Sequence, residues 1–280
     1  MAGALTAKLT GARVRWPFVD VLLRTTAEAK IDGERRLAAE VTYYAFFSLF
    51  PLLMVFVTIL NAALDEEQSK KILDSVLGQF PVIGSDIVGN VGTPQGQGLA
   101  AVIGLALALW AGSHAFESFE HAIMVIWQGP GVAPKSMVRS RIRAFELMGI
   151  LGVAILVTTV VGSFLAAIDI LPGVVKPASL VISLALNTGV VLLVFKLLTP
   201  GHPPWRSQLA GAIVAAVGWT LLQTLGAYFV RYVVKGASDT YGTFAVVIGL
   251  LTWINIQIRM ILYAAELNSV MATGETALAQ

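Results

Sequence analysis

Pro177-Ala-Ser-Leu-Val-Ile-Ser-Leu-Ala-Leu-Asn-Thr-Gly-Val-Val-Leu-Leu-Val-Phe195 runs for 19 residues without an Asp, Glu, Lys or Arg. A helix needs about 20 apolar residues to cross a bilayer. Five further runs share this character: Val41–Leu64, Ile87–Phe116, Leu147–Ile168, Ser207–Val230 and Thr240–Ile258. They hold 24, 30, 22, 24 and 19 residues. The pattern predicts an all-α polytopic membrane protein with six transmembrane helices.

Composition agrees. Hydrophobic residues make up 56% of the 280-residue chain, charged residues 13%, and mean hydropathy is +0.78. A soluble domain carries about 25% charged residues. With no cysteine, disulfides, thiolate metal sites and a cysteine nucleophile are excluded. The first apolar run begins at Val41, too far in for a cleavable signal peptide. The expected organisation is a cytoplasmic leader over 1–40, a membrane domain over 41–268 and a cytoplasmic tail over 269–280.

Lys and Arg orient the bundle. Thirteen fall in the leader and the loops after the second and fourth runs, and five in the alternate loops. Positive charge favours the cytoplasmic side. Both termini are therefore expected inside a bacterial inner membrane. Within the leader, Arg24–Glu40 reads as an amphipathic interfacial helix continuing from Phe18. Asp65–Phe80 reads as a short helix on the outer surface, followed by a Gly- and Pro-rich loop.

Ionisable residues at bilayer depth are costly and point to function. His114, Glu117, Glu120 and His121 occupy an arc of roughly 120° on the second helix. A metal site or proton relay is the sharp reading. The plainer readings are a polar cavity wall, or, for Glu120 and His121, side chains already in water. On the sixth helix Asn255, Arg259, Tyr263 and Glu266 make a polar stripe. Arg259 calls for a carboxylate, with Glu266, Glu117, Glu120, Glu40 and Glu146 as candidates. An ion pair that fixes helix packing is the structural alternative. Asn187 and Gln223 read as interhelical hydrogen-bonding groups, and Gly211, Gly218, Gly226, Gly149 and Gly152 as points of close helix approach. His202, in the Thr199-Pro-Gly-His-Pro-Pro loop, reads as solvated.

Several of these stretches resemble the YihY/BrkB family of bacterial inner-membrane proteins. The resemblance is carried by Ala38-Ala-Glu-Val-Thr-Tyr-Tyr-Ala-Phe-Phe-Ser-Leu-Phe-Pro51, Leu109-Trp-Ala-Gly-Ser113, Gly211-Ala, Gly218-Trp219, Tyr241-Gly242, Trp253 and Ala264-Ala-Glu-Leu-Asn268. It covers about residues 18 to 270. At Ala264-Ala265 the family more often has a Gly-Ala pair. The resemblance implies six transmembrane helices and brings no catalytic residue set. Members carry an old ribonuclease label, and others are linked to serum resistance or to export of lipids or small solutes.

The expected function is transport or export of a small polar solute or an amphiphilic envelope component. Its route would pass His114, Glu117, Gln223, Asn255 and Arg259, between the second, fifth and sixth helices. A structural or regulatory envelope protein is the alternative. A membrane-bound nuclease is disfavoured because helix orientation already explains the basic residues. No Walker sequence is present, so hydrolysis-driven transport within this chain is unsupported. Membrane lipid is the expected partner, without enzymatic activity, nucleic acid, cofactor or metal.

Overall fold

A computed structural model of the chain describes residues 17–63, 65, 67–69, 98–132, 140–154, 175–229 and 243–278. These residues form helices and their connections, with no strand among them. Helix is the form that satisfies every backbone group within one segment, as hydrocarbon requires. The elements are α1 (Pro17–Ile31), α2 (Glu34–Ala63), α3 (Gly98–Gln128), α4 (140–154), α5 (Val175–Leu198), α6 (Trp205–Phe229) and α7 (Thr243–Leu278).

Among the described residues, four helices are long and apolar enough to cross a membrane: Val102–Gln128, Val181–Leu198, Trp205–Gly226 and Phe244–Thr273. They carry the second, fourth, fifth and sixth apolar runs. The first run lies in α2, which continues through Pro51. The third begins in α4 and passes outside the described residues. So does most of Asp65–Phe80, of which residues 67–69 form one helical turn capped by Asp65, whose Oδ1 accepts from Gln68 N at 2.8 Å.

The leader differs from the continuous helix over Arg24–Glu40. α1 opens on Pro17, whose missing N–H costs nothing at a helix start. It stops at Ile31 because Gly33 takes φ +71°. That left-handed conformation is open to glycine and ends helices. Arg36 N and Leu37 N donate to Gly33 O at 2.8 and 3.2 Å, which starts α2 in a new direction. The Asp32-Gly33 elbow therefore separates two helices. At the other terminus α7 runs on to Leu278, so the expected tail begins as helix.

Trp253, Leu250 and Ile254 of α7 form a small buried cluster with Phe46 of α2 and Leu222 of α6, and the larger core cluster gathers at one end of the bundle. Leu37, Ala38 and Val41 of α2 pack with Ile123 and Ile126 of α3, Leu147 of α4, Phe195 and Leu198 of α5, Ala212 and Ala215 of α6 and Leu262 of α7. Toward the opposite end Val102, Ile103, Val181, Leu221, Leu225 and Phe244 are exposed, as lipid-facing side chains are. Gly211 allows α6 to meet α7. A Cβ there would collide with the Ala264 carbonyl oxygen, a backbone atom that cannot yield. Gly218 likewise leaves room only for Met260. Gly149 and Gly152 meet nothing within 4 Å among the described residues.

Candidate functional site

α2 is the element that organises the polar interior. Thr42 and Tyr44 stand two residues apart and so point to nearly opposite faces. On one face the Thr42 hydroxyl accepts from Asn255 Nδ2 of α7 at 3.1 Å. On the other the Tyr44 ring stacks on His114 of α3, with centroids 5.2 Å apart. Two ionic clusters flank α2 accordingly.

The first cluster centres on Arg259. Its Nε donates to Glu34 Oε1 at 3.0 Å, with Oε2 at 3.4 Å. The Glu34 side chain is 1% exposed and that of Arg259 36%. The partner is thus none of the five carboxylates expected from the sequence. Glu34 begins α2 just past the elbow, and the elbow is what swings it against α7. Arg259 Cζ also lies 6.0 Å from the Tyr263 ring centroid, a cation–π contact. Glu266, one turn on, is buried against Asp32 of the elbow and within hydrogen-bonding reach of it. Burial holds the Asp32 carboxyl above the ordinary carboxylate range. The hydrogen bond from Glu266 pulls it part-way back, and the nearby charge of Glu28 pushes it up again.

An open pocket of about 510 Å³ adjoins this cluster at the elbow. Glu34, Gly33 and Tyr263 line it, together with Lys30, Arg35 and Arg36.

The second cluster joins α3 to α4. Arg141 Nε lies 3.7 Å from Glu117 Oε1, and Arg141 Nη2 3.2 Å from His114 Nε2. A guanidinium has only donors, so Nε2 accepts and the ring proton sits on Nδ1. That atom faces Glu117 Oε2 at 3.3 Å. Two residues on, Arg143 Nε lies 2.9 Å from Glu120 Oε1, and its Nη2 donates to the Leu197 carbonyl of α5 at 2.6 Å. Glu120 is therefore buried rather than in water. Ser118 ties the cluster to α2 by donating to Glu40 Oε1 at 3.1 Å. Among the described residues no three His, Asp or Glu side chains group as a metal site would require.

The expected single route is thus divided. Arg259, Tyr263, Asn255 and Glu266 lie with α1 and α2; His114 and Glu117 lie with α4 and the opposite face of α2. Gln223, half-buried on α6, joins neither cluster, and Asn187 and Gln223 form no hydrogen bond among the described residues. The interhelical amide bonds come from Asn255 and from Asn268, which accepts from Gly211 N at 2.7 Å and donates to Gln208 O at 3.1 Å.

The family profile described as virulence factor BrkB matches residues 26–280. The chain belongs to the BrkB family. It is 25% identical over 285 residues to the inner membrane protein YhjD of Escherichia coli (strain K12), an alignment spanning 93% of this chain and 83% of that protein. No solved structure matches it. This BrkB-family chain is a membrane protein, as its apolar helices and its family both require. The match takes in both ionic clusters, from Glu28 to Glu266.

Proposed function

We propose that this BrkB-family protein is a six-helix bacterial inner-membrane transporter that moves a small polar solute or an amphiphilic envelope component. α1 lies at the cytoplasmic interface, both termini are cytoplasmic, and α2 and α4 belong to the first and third spans. The observation that carries this reading is the Glu34–Arg259 ion pair between two membrane helices, its carboxylate buried, beside an open pocket. Buried charge is expensive in a membrane, and its usual place is along a substrate or ion path. The same reading assigns the chain no enzymatic activity, no cofactor and no nucleic-acid partner. The inner-membrane placement draws support from the name of the Escherichia coli relative.

The test of function is flux into proteoliposomes, using osmolytes, organic anions and labelled lipids. Arg259→Lys and Glu117→Gln proteins that fold normally should lose flux. Flux of none of these compounds, or flux unchanged in both variants, would contradict a transport role. Orientation is tested separately in this cysteine-free chain. Cysteines at Gln95 and Ser238 should label from outside with an impermeant reagent, and those at Ser136 and Ser207 only after the membrane is opened.

A structural reading has one observation in its favour. Arg143 ties α3, α4 and α5 through Glu120 and the Leu197 carbonyl, an arrangement suited to holding helices together. Flux that survives loss of Arg143 in a folded protein would leave that residue to packing alone.

A further inference from the structure

We propose that the pocket at the Asp32-Gly33 elbow binds the phosphate headgroup of an anionic phospholipid. This goes beyond the transport reading and does not depend on it.

The first observation is a contrast among cations. Arg24, Arg141, Arg143 and Arg259 each face a carboxylate. Lys30, Arg35 and Arg36 are exposed, line one pocket, and face no carboxylate among the described residues. Glu34 also lines the pocket, but Arg259 already neutralises it. Three unneutralised cations around one concave site leave it positive and suited to an anion. Two of them are guanidiniums, whose forked donors match phosphate oxygens. The Arg36 guanidinium folds back over the elbow, with Nη2 3.7 Å from where a Cβ on Gly33 would stand.

The second observation is depth. The last charge-free apolar run ends at Ile258, and Arg259 and Tyr263 follow directly after it. A tyrosine just past the end of an apolar run suits the headgroup level, where tyrosine is favoured. The third observation is apolar surface beside the charge. Ile31, which also lines the pocket, is 64% exposed, and Leu22 and Val19 of α1 are exposed as well. A soluble anion has no use for that surface. A phospholipid would place its phosphate among Lys30, Arg35 and Arg36 and its glycerol and acyl chains against Ile31.

The experiment measures binding of phosphatidylglycerol and phosphatidylcholine to the whole detergent-solubilised protein by native mass spectrometry. Inorganic phosphate is a third arm. Wild type should prefer phosphatidylglycerol. Lys30→Gln/Arg35→Gln/Arg36→Gln should lose the preference by about a hundredfold, near fivefold per cation. The charge-keeping Arg35→Lys/Arg36→Lys protein should retain most of it. Arg206→Gln, which removes an exposed cation stacked on Trp205 away from the elbow, should leave it unchanged. Helical circular dichroism and a monodisperse elution profile confirm that each variant folds. No preference in wild type, an unchanged preference in the triple variant, or competition by millimolar inorganic phosphate would each overturn the assignment to a lipid.

Discussion

Around Arg259, Glu34 takes the guanidinium and Asp32 and Glu266 face each other, while Lys30, Arg35 and Arg36 stay exposed along the pocket. Arg141 and Arg143 each take one acid, Glu117 and Glu120. The first cluster adjoins an open pocket and is assembled from both ends of the chain. The second joins two helices close in sequence and fastens them to α5. Asp32 is held above the ordinary carboxylate range, so the stability of the first cluster follows pH. The two clusters therefore differ in what breaks them.

The largest effect falls on the elbow cluster. Arg259→Met leaves Glu34 buried without a counterion and should cost about 3–5 kcal/mol. Thermal unfolding in detergent reads the loss. Adding Glu34→Gln should restore part of it, whereas no recovery in the double variant would mean the pair is not the source. Arg143→Met should cost somewhat less, about 3 kcal/mol. The Glu120 side chain is 3% exposed against 1% for Glu34, so it keeps slightly more contact with solvent. An Arg143→Met cost above that of Arg259→Met would reverse the ranking of the clusters. Arg141→Gln should cost about 1 kcal/mol or less, because the Arg141 and Glu117 side chains are 38% and 20% exposed.

The smallest effect separates the clusters by pH. Asp32 has a raised folded-state pKa, so the folded protein binds its proton more tightly than the unfolded chain does. Stability contributed by that proton is present at low pH and lost as pH rises above about 4, the unfolded value. Asp32→Asn removes this dependence, so its stability should fall less than wild type's between pH 4 and 7. Parallel stability curves would show that Asp32 does not titrate in this range.

Much of the architecture is legible in the sequence. Length and absence of charge give the apolar helices, because hydrocarbon admits few other solutions. The all-α class and the family follow from residues that lie in helices, apart from Tyr241-Gly242, which are outside the described residues. Arg259, Tyr263 and Glu266 are also legible as a stripe, since helical periodicity sets which residues share a face. Their partners are not. Glu34 sits 225 positions from Arg259, and nothing local links them. The one available signal is the Asp32-Gly33 pair, a turn dipeptide within a run that otherwise reads as helix. Taken as an elbow, it brings Glu34 and Asp32 toward the bundle instead of leaving them on an interfacial surface. Arg141 and Arg143 are obscured for another reason. Near a membrane boundary, a basic residue that orients a helix and one that pairs inside the bundle look the same in sequence.

The Arg259 cluster opens on water through the elbow pocket, whereas Ser118 and Glu120 in the cluster on α3 and α4 are buried. The chain has no native cysteine, so single-cysteine labelling tests this directly. Tyr263→Cys should react readily with a charged methanethiosulfonate in opened membranes, because Tyr263 lines the pocket. Ser118→Cys, at a buried position between Glu117 and Glu120, should stay unmodified until the protein is unfolded. Equal protection of both cysteines, or faster reaction at Ser118→Cys, would contradict the account.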